Sequence, residues 1–308
     1  MKQKSFYSLL LATITMLATG LSVSCTEDLG TGNFAEPITI IPEKSDFTGG
    51  TITRGSKVSS IGSFGVSASV YSAAAAYTSA GCGSYFFNES ATAGTPTAHF
   101  WPTSDYKLSF FAYYPYGNAA LTIQSTANTI GAPTYNYTVP SDITSQVDVM
   151  TGQTTNVLSG GSSPVCITMK HRCAAVCFSV TNSRSSAITF TSISIEGVKY
   201  TGTLNEDTWT LSSSVNSSSS NPFTLTYGNS IAADATANIT GTTNIFMMLP
   251  QTIPAGAKIK AVVDGEDFEA ELTGTWVAGK QYNYSIDVTN NKIIILDEDS
   301  DIEDWRAS

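Results

Sequence analysis

Val165-Cys166-Ile167-Thr168-Met169-Lys170-His171-Arg172-Cys173-Ala174-Ala175-Val176-Cys177-Phe178-Ser179-Val180 is the stretch that decides the fold class. Apolar side chains fall on the odd positions Val165, Ile167 and Met169, then on the even positions Ala174, Val176, Phe178 and Val180. A period of two is that of a half-buried strand. A one-residue slip of phase is what a bulge produces, so His171-Arg172 reads as a bend between two half-strands. The same alternation continues in both directions, and an all-β chain follows.

Towards the C-terminus, Ile193 and Ile195, then Trp209 and Leu211, keep the pattern, with Asn216 to Asn221 read as a flexible loop. Ile245-Phe246-Met247-Met248-Leu249-Pro250 is continuously apolar, as in a strand covered on both faces. Ile259, Ala261 and Val263 lead to Asp264-Gly265, a hairpin signal, and Phe268, Ala270 and Leu272 return. Tyr282, Tyr284, Ile286 and Val288 form what would normally be a closing strand. The chain continues past it, through Asn290-Asn291 into Lys292-Ile293-Ile294-Ile295-Leu296, an acidic stretch from Asp297 to Asp304, and Trp305-Arg306-Ala307-Ser308.

Towards the N-terminus, Ser159-Gly160-Gly161-Ser162-Ser163-Pro164 is the clearest compositional break. A boundary between domains of residues 55–160 and 161–289 is placed there, the alternative being a long hairpin loop. Upstream lie strands at Tyr135 to Val139, Tyr106 to Tyr114 and Tyr85 to Phe87. Another runs from Phe64 through Val66, Ala68 and Val70 and is expected to be buried on one face. Pro37-Ile38-Thr39-Ile40-Ile41-Pro42 is a short apolar strand fenced by prolines, followed by a turn at Lys44 to Gly50. No long amphipathic helix is evident.

The first residues carry an address. Lys2 and Lys4 precede an apolar run from Phe6 to Leu21, and Ser22-Val23-Ser24 brings small residues before Cys25, the layout of a secretory leader over residues 1–24. Cleavage before Cys25 leaves that cysteine N-terminal, where bacterial lipoproteins carry a diacylglyceryl thioether and an N-acyl, palmitate-type chain that hold them on a membrane. Ser22 stands where a lipobox prefers leucine. Glu27 and Asp28 follow the anchor and read either as a signal for export to the outer face of an outer membrane or as a solvated tether.

Only 13% of residues are charged, while serine, threonine, glycine and aromatics abound, a composition suited to many short strands. A formal charge of −10, with no lysine or arginine cluster, argues against a nucleic-acid partner. Past the leader, Cys82, Cys166, Cys173 and Cys177 remain. If the last two share one strand, four residues at ~3.3 Å each separate them by about 13 Å, beyond the roughly 7 Å Cα limit of a disulfide. His171 with Cys166, Cys173 and Cys177 lacks the close C-x-x-C pair of a zinc clamp, so buried thiols are expected and no metal or cofactor. The acidic residues from Asp297 place Ile302 where a calcium loop needs glycine, which favours a solvated acidic edge. The two histidines, His99 and His171, accompany no nucleophile elbow, H-E-x-x-H or phosphate loop, and the chain reads as not an enzyme.

Several strings together resemble the fimbrillin family, the pilin subunits of type V pili in Bacteroides-type bacteria. They are Ile61-Gly62-Ser63-Phe64-Gly65-Val66, Phe100-Trp101-Pro102 leading into Leu108 to Pro115, Asp148-Val149-Met150-Thr151-Gly152, Met169-Lys170-His171-Arg172-Cys173-Ala174, Met247 to Gln251, and Trp276 to Tyr284. The resemblance implies two tandem β-sandwich domains of Greek-key, transthyretin-like form. It also implies a lipoprotein precursor, anchored through Cys25 to the outer face of the outer membrane, that becomes part of a fimbria. In the family an arginine-specific protease cuts after an early arginine and frees the first strand, and a C-terminal strand of the next subunit fills the groove. Here Arg54-Gly55 matches the cleavage role, residues 25–54 are the segment removed, and Lys292, Ile293, Ile294, Ile295 and Leu296 in the tail 290–308 are the donor. The implied partners are other pilin subunits and an adhesion ligand on a host or bacterial surface. The alternative is a monomeric surface lipoprotein that binds glycans or a host ligand, with Trp101, Tyr113, Tyr114 and Tyr116 as a stacking platform.

Overall fold

The computed structural model describes residues 36–44, 61–77, 84–123, 131–159, 164–241, 244–289, 293–296 and 302–304, which lie in one compact unit, Ala35–Ser308. These residues form strands and turns, with a single 3-10 turn, Ile143–Ser145, and no α-helix among them. In chain order the strands are β1 Pro37–Lys44, β2 Ser63–Ser72, β3 Ser84–Thr92, β4 Pro96–Phe100, β5 Tyr106–Tyr114, β6 Leu121–Ile123, β7 Thr134–Thr138, β8 Met150–Leu158 and β9 Val165–His171. Then come β10 Ala174–Asn182, β11 Ile188–Glu196, β12 Thr201–Asn205, β13 Thr208–Leu211, β14 Phe223–Ile231, β15 Thr236–Asn238, β16 Phe246–Met248 and β17 Gln251–Thr252. The last are β18 Lys258–Val263, β19 Glu266–Glu271, β20 Thr275–Trp276, β21 Lys280–Val288, β22 Ile293–Leu296 and β23 Ile302–Asp304.

The first seven-stranded sheet has the order β3-β2-β5-β8-β9-β1-β4. Its two ends are consecutive in sequence, joined only by Ala93 to Thr95, so the sheet must curl back on itself. Side chains close the seam: His99 on β4 stacks on Phe87 of β3 at 4.1 Å, and its Nε2 lies 3.0 Å from Glu89. Inside the curl sits the first core, with Phe64, Val66, Trp101, Leu108, Phe110, Met150, Ile167 and Met169.

Both β2 and β5 are buried on their two faces, not on one as the alternation of Phe64 to Val70 suggests. The outward positions are serines and aromatics whose polar atoms are bonded. Tyr71 Oη lies 2.9 Å from Ser109 Oγ and donates to Asn156 Oδ1, and Ser69 Oγ accepts from the Gly131 amide. Satisfied hydroxyls can be buried at little cost, so an apolar/polar alternation need not mean an inside and an outside.

Around the second core three sheets meet. The six-stranded sheet runs β15-β10-β21-β22, with β16 also on β10 and β23 on β21, and the four-stranded sheet β14-β11-β18-β19 holds the other side. Phe178, Phe190, Ile193, Phe223, Phe246, Trp276 and Ile286 fill the space between them. Asp264 and Gly265 turn between β18 and β19 with φ of 54° and 85°, the doubly positive pattern of a type I′ hairpin. A smaller sheet, β13-β12-β7-β6, pairs β7 from the first half of the chain with β12 from the second, and Tyr135 and Tyr137 on β7 belong to the second core.

The serine-glycine stretch at 159–164 joins β8 to β9, antiparallel neighbours in the first sheet. Beyond it, Val165, Ile167 and Met169 point into the first core. The handover between cores comes at Arg172-Cys173: β9 ends at His171 in the first sheet and β10 begins at Ala174 in the second. The slip of hydrophobic phase at His171-Arg172 therefore marks a change of sheet. Asn216 is ordered, its side chain accepting from Val198 N and donating to Ile195 O.

Candidate functional site

The family resemblance directs attention to the two ends of the chain, and the structure gives each end a strand with a definite neighbour. β1 occupies the gap between β9 and β4 in the first sheet. Its N-terminal half pairs antiparallel with β4, Pro37 opposite Phe100 and Thr39 opposite Pro96. Its C-terminal half pairs parallel with β9, from Ile40 opposite Val165 to Lys44 opposite Met169. Ile38 and Ile40 alternate inward and are fully buried in the first core. Burial of two such side chains contributes about 1.5–3 kcal/mol each, beyond the main-chain bonds to both neighbours. Further contacts fix the register: Gly94 N donates to Ile40 O and Trp101 N to Glu36 O. Ile38 and Ile40 were not among the expected site residues, although their period-two spacing between prolines carries the signal.

On the outer face of this slot, Cys166 of β9 is an exposed free thiol. Its hydrogen bond to the Glu43 side chain of β1, then desolvation, pushes the thiol above its ordinary range.

At the other end, β22 folds back antiparallel on β21, Ile293 opposite Val288 and Leu296 opposite Ser285. Further along the same edge β23 pairs with β21, Ile302 opposite Tyr282 and Asp304 opposite Lys280. The acidic tail is thus in part a strand on its own domain. Cys25, Arg54, Gly55 and Lys292 lie outside the described residues, as does Cys82.

The aromatic platform does not assemble. Trp101 is buried in the first core, Tyr113 is buried against Tyr135 at 5.2 Å, and of the four only Tyr116 is well exposed. A cleft beside Arg172 is lined by Phe111 and Tyr135, but these are 2% and 3% exposed and present almost no ring face. Arg172 itself donates from Nε to Thr151 Oγ1 at 2.6 Å and pairs with Asp207. Burial lowers its affinity for the proton, and the Asp207 carboxylate opposes that.

Nor do the histidines form a nucleophilic site. His171 Nδ1 lies 2.7 Å from Asp148 Oδ2 with both side chains buried, while burial drives the nearby Cys173 thiol far above its ordinary range and keeps it neutral. Cys173 is a free thiol.

A fimbrillin-like family model matches residues 48–305. The chain belongs to the fimbrillin-like family. Solved structures with the same fold include a protein assigned to cell adhesion from Bacteroides ovatus, 16% identical, with a TM-score of 0.55 over 88% of this chain and 98% of that one. Another, from Bacteroides uniformis with the same assignment, is 15% identical with a TM-score of 0.52 over 90% and 100%. A fimbrial assembly protein from Parabacteroides distasonis aligns more loosely, 11% identical with a TM-score of 0.44 over 88% and 97%. Among curated proteins there is no match. The family match begins at residue 48, after β1 has ended, so the strand completing the first sheet of this fimbrillin-like chain lies outside the matched segment.

Proposed function

We propose that this chain is a structural pilin subunit of a surface fimbria that mediates adhesion and has no catalytic role. It is exported as a lipoprotein through Cys25 and assembled by strand exchange. The observation that carries the reading is β1: a strand buried at Ile38 and Ile40, yet joined to the rest of the fold only through the segment that contains Arg54. A cut after Arg54 makes β1 a separate peptide held by non-covalent contacts alone. Its departure opens a slot lined by the first core, with main-chain groups of β9 and β4 unpaired. Ile293 and Ile295 repeat the two-residue spacing of Ile38 and Ile40, so Lys292 to Leu296 of a second copy fits the same slot once it has left β21. Membership of the family, and the cell-adhesion and fimbrial-assembly assignments of its structural neighbours, support a location at the cell surface.

N-terminal sequencing and native gels test this together. Mature surface protein starts at Gly55 and runs as a ladder without boiling, and removal of residues 290–308 abolishes the ladder. A blocked Cys25 on a monomer that runs identically with and without the tail overturns it. The pairing of β22 and β23 with their own β21 favours the second reading, a self-completed monomeric lipoprotein, and that gel result would establish it.

A further inference from the structure

We propose that Arg184 is the anchor at which the C-terminal segment leaves the fold, a positioning residue for strand donation; this rests on the strand-exchange reading above. Arg184 sits in the turn between β10 and β11, whose start is fixed by its own amide donating to Asn182 Oδ1. Its side chain reaches three other elements. Nε donates to the carbonyl of Thr289 at 2.9 Å, at the end of β21. Nη1 pairs with Asp264 Oδ2 at 3.0 Å, in the β18–β19 hairpin turn. The guanidinium lies 5.5 Å from the ring centroid of Phe268 on β19.

Each of those partners is itself held. Asp264 accepts from Thr189 N through Oδ1 and donates its own amide to Thr189 O. Beside Thr289, Ser183 N donates to Val288 O, and Ser183 Oγ donates to Asp287. Asn182, fully buried, gives its amide group to the carbonyls of Ser186, Ile231 and Ala232. One guanidinium therefore ties both sheets of the second sandwich to the last residue described before the tail, and it does so with charge-assisted bonds.

The placement matters because β21 has two duties. It pairs in parallel with β10 along its whole length, Ala175 opposite Gln281 to Asn182 opposite Val288. Its other edge carries the tail. A segment that peels from that edge pulls first on Thr289 and Val288, and without a fixed point the opening runs back into the β10–β21 ladder. Arg184 and Ser183 supply the fixed point, so β22 and β23 can leave while β21 stays in the core. In a strand-exchanged polymer the same bonds would meet any tension carried through the donated tail.

Residue-resolved hydrogen exchange on the full chain, with native gels of the same preparations, tests the anchor. In the wild type the Ile293–Leu296 amides exchange faster than those of Asp287 to Thr289. In Arg184→Ala exchange at Asp287 to Thr289 rises about tenfold or more, the scale of one lost charge-assisted bond. The rise fades along the β10–β21 pairing towards Val176, the gel ladder shortens, and Arg184→Lys restores part of both. Asp264→Asn, which keeps the acceptor for Thr189 N but loses the charge, gives a smaller rise in the same window and serves if the alanine variant does not fold. Unchanged protection at Asp287 to Thr289, or a ladder of wild-type length in Arg184→Ala, overturns the anchor. Absence of a ladder in the wild type is the separate failure of the strand-exchange reading.

Discussion

Two glycines in the family-like strings have steric reasons to be glycine. A Cβ on Gly152 would lie 2.3 Å from the carbonyl oxygen of Thr168 and 2.9 Å from Ile167 Cγ2, where β8 and β9 come together. A Cβ on Gly65 would fall 2.1 Å from the buried ring of Tyr113. Gly62, in the same string as Gly65, has open space around it. Gly152→Ala is therefore expected to lower stability by about 1–3 kcal/mol, since backbone must move, while Gly62→Ala stays within about 0.5 kcal/mol. Urea midpoints at constant m-value compare them, and equal midpoints would mean that β8 and β9 do not approach as closely as described. The buried His171–Asp148 pair makes a second prediction. Removing the imidazole leaves a carboxyl group whose side chain is 0% exposed without its hydrogen-bond partner. His171→Ala is expected to cost about 1–3 kcal/mol, whereas the double variant His171→Leu/Asp148→Leu, which leaves no buried polar group unsatisfied, costs less. A double variant no better than the single would show that the pair is not what holds the site.

Among the elements, strand positions were legible because side chains alternate; the neighbours of each strand were not. Tyr106 to Tyr114, Val165 to Met169 and Ala174 to Val180 give β5, β9 and β10 from periodicity alone. That β9 belongs with β1 and β8 while β10 starts another sheet depends on contacts far apart in sequence, and a serine-glycine loop looks the same between domains as within a hairpin. The tail illustrates the same limit: Ile293 to Leu296 reads as a strand in need of a partner, and only the register shows that partner to be β21. For β1, one thiol offers a direct test of release. With Glu43 bonded to Cys166, less thiolate is present at a given pH than for an ordinary exposed cysteine. Loss of β1 removes Glu43, so the thiol falls back towards its ordinary range and its neighbour on that side is gone. Alkylation of Cys166 at pH 8 is expected to speed up several-fold once the chain is cut after Arg54 and β1 is displaced, read by peptide mass spectrometry with buried Cys173 as internal reference. An unchanged rate would mean that β1 remains in its slot after the cut.

At the scale of the whole molecule, two cores share one unit and are tied by the short Arg172-Cys173 crossing and by the β7–β12 pairing. Tyr135 and Tyr137 enter the second core from the first half of the chain, so neither half of the sequence is a self-contained sandwich. That interleaving rests on pairings far apart in sequence, which composition alone does not carry. It also sets how the fold should respond when β1 leaves. Ile38 and Ile40 touch only the first core, and so does Trp101, whereas Trp276 is buried in the second. Each tryptophan, kept as the sole reporter with the others changed to phenylalanine, reads one core. With β1 in place both should report a single shared transition in urea, because the bridging sheet couples the cores. Without residues 1–54 the first core forfeits roughly 3–6 kcal/mol from two isoleucines. Its Trp101 transition then moves to lower urea and separates from that of Trp276. Adding a peptide that spans Pro37 to Lys44, or the tail segment Lys292 to Leu296, is expected to bring the Trp101 midpoint back up without moving the other. A Trp101 midpoint indifferent to β1 would mean that the slot is not a seat for an exchangeable strand, whereas recovery with the tail peptide alone would mark the slot as built for the incoming strand more than for the one it starts with.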